Sequence, residues 1–329
     1  MPVGRETPAV EFAAEREERY DRTMRISLNV PHTGSLATPA LIRDFAQAAE
    51  DLGFDGVGFV DHLALPKHVA SLYDLGPQPV GIPEDNMKKS LTPLYECLAT
   101  MAYVAGATER VRLGTGVLVL PLRNPLYNAR QIATIDALSG GRIDLGIGAG
   151  WLKEEADAMQ MPWAERGART DEHIQVLRTL WESDAEYVSF KGRFYEFSEI
   201  DPRPHPNQRP LPILVGGHTP AAKRRAGRFG NGWISSDLDP DAQRAGMQEV
   251  REAAQAAGRD PGALRWTGSV HARHERGGVK SPEAILERLR AYRALGLTDT
   301  RVRPMARSVD ELMTLIRWLG KEVLPEIRR

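Results

Sequence analysis

Short apolar runs bounded by glycine alternate along this chain with amphipathic stretches that open on Ser, Thr, Asp or Asn followed by proline, and that alternation limits the folds open to it. The first residue of each pair can accept a backbone N–H at a helix start, and proline suits the first helical position, where no N–H is needed. Thr38-Pro39, Thr92-Pro93, Asn124-Pro125, Thr219-Pro220, Asp239-Pro240 and Ser281-Pro282 all read as helix starts. In the first predicted helix Leu41, Ile42, Phe45, Ala49 and Leu52 share one face. Arg43, Asp44, Gln47, Glu50 and Asp51 lie largely opposite, and Gly53 ends the helix. Such a helix covers a sheet on one side only.

Strands are predicted over 24–30, 56–60, 111–119, 142–148, 211–215, 232–235, 264–271 and 299–303. Runs this continuously apolar suit parallel strands buried on both faces, and eight βα units in about 300 residues are what a closed (β/α)8 TIM barrel of the α/β class requires. An open doubly wound sheet usually needs fewer strands. Two connections, 61–91 after the second strand and 152–210 between the fourth and fifth, exceed simple loops and are expected to carry insertions over the C-terminal mouth. Residues 1–23 stand outside the repeat as a charged extension, which leaves 24–329 as the barrel domain.

Charge narrows the partners. With 43 Lys+Arg against 44 Asp+Glu, the net charge of -1 offers no field for a polyanion. Nucleic acid and anionic membrane are therefore not expected, and a small molecule is. A single cysteine, Cys97, excludes an intramolecular disulfide or a Cys-cluster zinc site. No apolar run approaches the roughly 18 residues of a membrane span. Residues 1–23 lack the apolar core of a secretory signal, so the expected location is the cytoplasm.

In a (β/α)8 barrel the active site lies just past the C-terminal ends of the strands. Asp61-His62 closes the second strand there, Asn29 and His32 follow the first, His218 the fifth and Arg303 the eighth. His62 can exchange a proton with a ligand, or it can be a loop histidine paired with Asp61. Leu113-Gly114-Thr115-Gly116-Val117 places two glycines in a strand pattern, either for close approach of a flat ring or for a bulge that lets the barrel close. Gly146-Ile147-Gly148-Ala149-Gly150 is a weak dinucleotide fingerprint, since its sixth position is Trp151 and no acidic residue follows at the right distance. Gly216-Gly217-His218-Thr219-Pro220 frees the backbone before a helix start, which serves phosphate binding or plain capping. Arg166, Arg169 and Glu172 share one helical face, where mutual pairing is favoured over an anionic ligand. No HExxH, HxH or GxSxG pattern occurs, so neither a metal site nor a serine nucleophile is expected. Few acids and bases among glycine-lined strand ends point to a cofactor that performs the chemistry itself, and so to redox.

Through LGFDGVGFVDH, ATERVRLGTGVLVLPLRNP, IDALSGGRIDLGIGAGWLKEE, ERGART and PILVGGHTPAAKRRAGRFGNGW, the chain resembles the luciferase-like monooxygenase superfamily over about residues 24–303, and within it the oxidoreductases that use the deazaflavin coenzyme F420. The resemblance implies hydride transfer between the deazaflavin C5 and a small organic substrate. Its alternatives are an FMN-dependent monooxygenase served by a partner flavin reductase, or a flavin-binding protein without turnover. It implies a non-proline cis peptide at Gly116-Val117, His62 as the catalytic residue, and Asp61, Thr115, Gly116, Val117, Ala149 and Gly150 around the cofactor. Gly216, Gly217 and His218 would meet its phosphate, and Trp151 and Arg303 the substrate. A homodimer or higher homo-oligomer is implied as well. One departure stands out: sugar-phosphate dehydrogenase members carry a glutamate proton donor where this chain has Trp151, which implies another substrate. Neither Glu154 nor Glu155 is favoured as the substitute.

Overall fold

The computed structural model describes residues 24–73, 80–81, 91–236, 238–275, 278–279 and 281–329, so the charged extension 1–23 and much of 74–90 lie outside the described residues. All eight predicted strands form: β1 (Arg25–Asn29), β2 (Gly56–Phe59), β3 (Arg112–Thr115), β4 (Ile143–Gly148), β5 (Ile213–Gly216), β6 (Gly232–Ile234), β7 (Arg265–Glu275) and β8 (Asp299–Met305). They pair in parallel around a closed ring, with Arg25 opposite Asp299 where β1 meets β8 and Leu145 opposite Ile213 where β4 meets β5. The architecture is the (β/α)8 TIM barrel that the alternation predicts.

The predicted strand 111–119 is broken. β3 ends at Thr115, and Leu118–Val119 rejoins β4 as a two-residue strand of its own. Gly114 pairs with Asp144 while Leu118 pairs with Ile147, so four steps along one strand oppose three along the other. One extra residue is therefore accommodated as a bulge between them.

The helices are α1 (Pro39–Asp51), α2 (Cys97–Ala107), α3 (Pro125–Leu138), α4 (Lys153–Ala158), α5 (Arg166–Glu182), α6 (Pro220–Phe229), α7 (Pro240–Ala256), α8 (Pro282–Ala294), α9 (Val309–Trp318) and α10 (Leu324–Arg328). Thr38, Asn124, Thr219 and Asp239 each accept a first-turn N–H through the side chain, as the Xaa-Pro pairs predict. Ser281 precedes α8 without a side-chain cap. Thr92-Pro93 opens no helix: α2 begins at Cys97, where the buried face of Cys97, Leu98, Met101 and Val104 begins, and Glu96 caps it by accepting from Ala99 N–H.

Both long connections carry structure. Leu72–Tyr73 pairs with Val80–Gly81 after β2, and an antiparallel ribbon, Val188–Lys191 with Glu196–Ile200, follows α5. The expected mutual pairing of Arg166, Arg169 and Glu172 is not what forms. Glu172 instead accepts the N–H groups of Arg193, Phe194 and Tyr195 at 2.8–2.9 Å, because the ribbon's turn presents three amides that need an acceptor. Arg169 pairs with Glu165, and Arg166 lies over the Trp163 ring at 3.8 Å. Among the described residues no helix is long and apolar enough to cross a membrane.

Candidate active site at the barrel mouth

The end of β2 supplies an arrangement at the mouth with acid–base character. His62 Nδ1 donates to Glu155 Oε2 at 2.8 Å, and the Glu155 side chain is only 3% exposed. The other oxygen, Oε1, accepts Leu63 N–H at 2.5 Å and Ala64 N–H at 3.1 Å. A buried carboxylate holding a histidine through Nδ1 fixes both the ring plane and its tautomer, and leaves Nε2 as the nitrogen free for proton exchange. The Trp151 ring stands perpendicular to the imidazole with centroids 6.0 Å apart. Next along the loop, Glu154 accepts Ala70 N–H, Ser71 N–H and the Ser71 hydroxyl, so the two glutamates opening α4 clasp the segment after β2.

Asp61 does not pair with His62. It is buried, with its oxygens bonded to both terminal nitrogens of Arg123 at 2.6 and 2.7 Å and to Val119 N–H at 2.8 Å. Its carboxylate therefore anchors the strand after the bulge and, with its side chain fully buried, presents no surface to a cofactor. His32 is also buried, with Nδ1 3.1 Å from the Val30 carbonyl and Nε2 3.0 Å from that of Val60. Burial lowers its pKa, so the neutral ring donates to one carbonyl at a time and serves as a brace between the ends of β1 and β2.

The β3 bulge forms the floor of the mouth. The Gly116-Val117 peptide is cis, at the bond that the resemblance implies. Gly116 is exposed and Val117 half-buried, whereas Thr115 is buried and its hydroxyl donates to Gly146 O at 2.6 Å while accepting Gly146 N–H at 2.9 Å. Thr115 thus shapes the floor from beneath, out of reach of a ligand. Its carbonyl accepts from Arg301 Nη1 at 2.6 Å. Val117 wedges against the two neighbouring strand ends: a Cβ on Gly148 would meet Val117 Cγ2 at 2.6 Å, and one on Gly216 would meet Val117 Cγ1 at 2.5 Å. The glycines ending β4 and β5 therefore make room for this valine.

Ala149, Gly150, Trp151, Gly216, Gly217, His218 and Arg303 are all half-buried at strand ends around this floor. Gly217 has φ +122, and a Cβ there would lie 2.9 Å from that of Ala222, so the turn into α6 needs glycine. Trp233 Nε1 donates to Gly217 O at 2.8 Å, and His218 Nε2 accepts Ser236 N–H at 3.1 Å. Gly217 N–H and Ala222 N–H already serve Ile234 O and Thr219 Oγ1. A phosphate at this turn would use its other amides.

The family model described as luciferase-like monooxygenase matches residues 24–296. The chain belongs to that family. This luciferase-like protein is 35% identical over 216 residues to an uncharacterized protein of Mycobacterium tuberculosis, covering 65% of this chain and 71% of that one. It is 32% identical over 286 residues to an F420-dependent glucose-6-phosphate dehydrogenase of Kineococcus radiotolerans, covering 83% of this chain and 76% of that one. An FMNH2-dependent dimethylsulfone monooxygenase of Pseudomonas putida is 34% identical over 182 residues, 54% of this chain and 47% of that one. Among solved structures, an F420-dependent secondary alcohol dehydrogenase superposes with a TM-score of 0.74 at 18% identity, over 93% of this chain and 100% of that one. That likeness shows the fold, and the protein is an enzyme of the family.

The mouth of this luciferase-like enzyme leaves an apolar floor against which a flat ring can lie. Gly116 is exposed, the floor is apolar at Val117, and the acid–base pair stands at one side with the turn into α6 at another. Sequence reasoning missed Glu155 as the partner of His62. Ninety-three positions separate them, and beside Lys153 and Glu154 nothing marks which glutamate is buried.

Proposed function

We propose that this protein is an F420-dependent oxidoreductase that transfers a hydride between the deazaflavin C5 and a small organic substrate. The observation that carries this reading is the His62–Glu155 pair beside a glycine-lined apolar floor: one positioned proton carrier where little else titrates. The deazaflavin supplies the hydride chemistry when bound. Val117 supports the ring, with Gly116, Ala149 and Gly150 at its edges, and the turn Gly216-Gly217-His218 receives the phosphate end through amides other than that of Gly217. His62 exchanges a proton at Nε2 with the substrate atom that gains or loses charge, and Glu155 holds the imidazole at Nδ1. Trp151 and Arg303 orient the substrate, and Trp151 in place of a carboxylate favours a neutral carbonyl or alcohol over a sugar phosphate. The clasp of Glu154 and Glu155 on residues 63–71 keeps water from that side.

The match to an F420-dependent relative over 83% of the chain supports the deazaflavin. The shorter match to the FMNH2-dependent monooxygenase supports a second reading, reduced FMN supplied by a partner reductase. His62→Ala tests the residue assignment: turnover should fall by about 100-fold, within the usual range for removing a general acid or base, while cofactor affinity holds. Unchanged turnover in that variant would remove His62 from the mechanism.

A further inference from the structure

The opposite end of the barrel holds charge that the mouth does not use. Arg25 opens β1, Arg112 β3, Arg265 β7 and Asp299 β8, while Asp144 lies one residue inside β4 and Arg301 two residues inside β8. Asp144 pairs with Arg112 at 2.7 Å, Arg265 at 2.9 Å and Arg25 at 3.5 Å, and Asp299 pairs with Arg25 at 2.5 Å and Arg265 at 3.3 Å. The next carboxylate, Asp55, is engaged by Arg328 and by Ile26 N–H. Among the described residues that line the cavity between them, three guanidinium groups, those of Arg112, Arg265 and Arg301, face two carboxylates, Asp144 and Asp299, an excess of one positive charge. Burial and the neighbouring Asp144 push the Asp299 pKa up against the pull of Arg25, and burial lowers that of Arg301.

A buried cation without a matching anion is costly. Arg301 is 8% exposed and shares the attraction of Asp144 and Asp299 with the other arginines, and among the described residues its guanidinium gives one hydrogen bond, to Thr115 O. It lines a cavity of about 10 Å³ together with Arg112, Arg265, Asp144 and Asp299. Thr267, 1% exposed, lines the same cavity, and its Oγ1 has no hydrogen-bond partner. Donors therefore converge on a space sized for one small particle.

We propose that this cavity is a binding site for a single halide-sized anion, held by Arg301, Arg265, Arg112 and the Thr267 hydroxyl at the closed end of the barrel. The anion offsets the charge excess and completes the hydrogen bonding of Arg301. Because Arg301 also holds the Thr115 carbonyl beneath Gly116, occupancy steadies the floor of the mouth from below.

Crystals grown without halide and soaked in sodium bromide test this directly. An anomalous bromide peak between Arg301 and Thr267 is the expected result. In solution, replacing sodium gluconate by sodium bromide at constant ionic strength should raise the unfolding midpoint of the full chain by several degrees, since a ligand bound only by the folded state stabilises it. Thr267→Val removes one donor without altering charge and should at least halve that shift. A water alone in the cavity, with no bromide peak and equal midpoints in the two salts, would overturn the proposal.

Discussion

At the residue scale, two histidines illustrate how surroundings divide proposed function from structure. His62 is half-buried at a strand end and tied to a carboxylate. His173 is fully buried between helices, its Nε2 accepting from Asn128 Nδ2 at 3.2 Å, and burial lowers its pKa to about 3. Its unfolded counterpart takes up a proton near pH 6.5, so the unfolded state binds more protons between those values and stability falls as pH drops through them. Chemical denaturation should show a loss of about 2 kcal/mol from this residue between pH 7 and pH 5. His173→Gln, which keeps an amide partner for Asn128 and does not titrate, should flatten that slope. For the proposed catalytic pair His62–Glu155, Glu155→Gln keeps the shape but loses the carboxylate. Turnover should fall by about 10-fold with KM little changed and with a displaced pH–rate profile, which a purely structural role for Glu155 would not produce. His62 was legible because a strand end in this fold is a place to look, and Glu155 was not because only folding distinguishes it from Glu154.

At the element scale, the Xaa-Pro starts and one-sided faces identify helices well, since capping and burial are local properties. They fail at Thr92-Pro93, where the buried face of α2 begins five residues after Thr92. The β3 interruption was visible as glycines, but which of ring approach or bulge explained them was not, and both Gly148 and Gly216 owe their identity to Val117. Glycine in the helices divides in the same way. A Cβ on Gly227 in α6 would lie 2.5 Å from Val250 O and 2.7 Å from the Ala253 Cβ of α7, whereas one on Gly106 in α2 meets nothing within 4 Å. Gly227→Ala should therefore cost about 1–3 kcal/mol by overpacking, and Gly106→Ala should gain about 0.5–1 kcal/mol by helix propensity. Equal effects in thermal unfolding would contradict the packing described for α6 and α7.

At the scale of the whole molecule, closing eight parallel strands separates two kinds of polar interior. The mouth is poor in charge and offers one acid–base pair over an apolar floor, while the closed end gathers arginines and aspartates that the sequence shows only as isolated charges in apolar runs. Period and glycine punctuation reveal the barrel, yet nothing local reveals that Arg25, Arg112, Asp144, Arg265, Asp299 and Arg301 meet, because they come together only when the ring closes. Thr115 and Asp61 were likewise expected at the mouth and lie beneath it, holding up the floor. The measurement that tests the central claim most directly is a titration of the purified protein with coenzyme F420 and with FMN, each oxidised and reduced, followed by fluorescence. Selective binding of F420 is the predicted result. Selective binding of reduced FMN would contradict it and assign the floor around Val117 to a flavin monooxygenase.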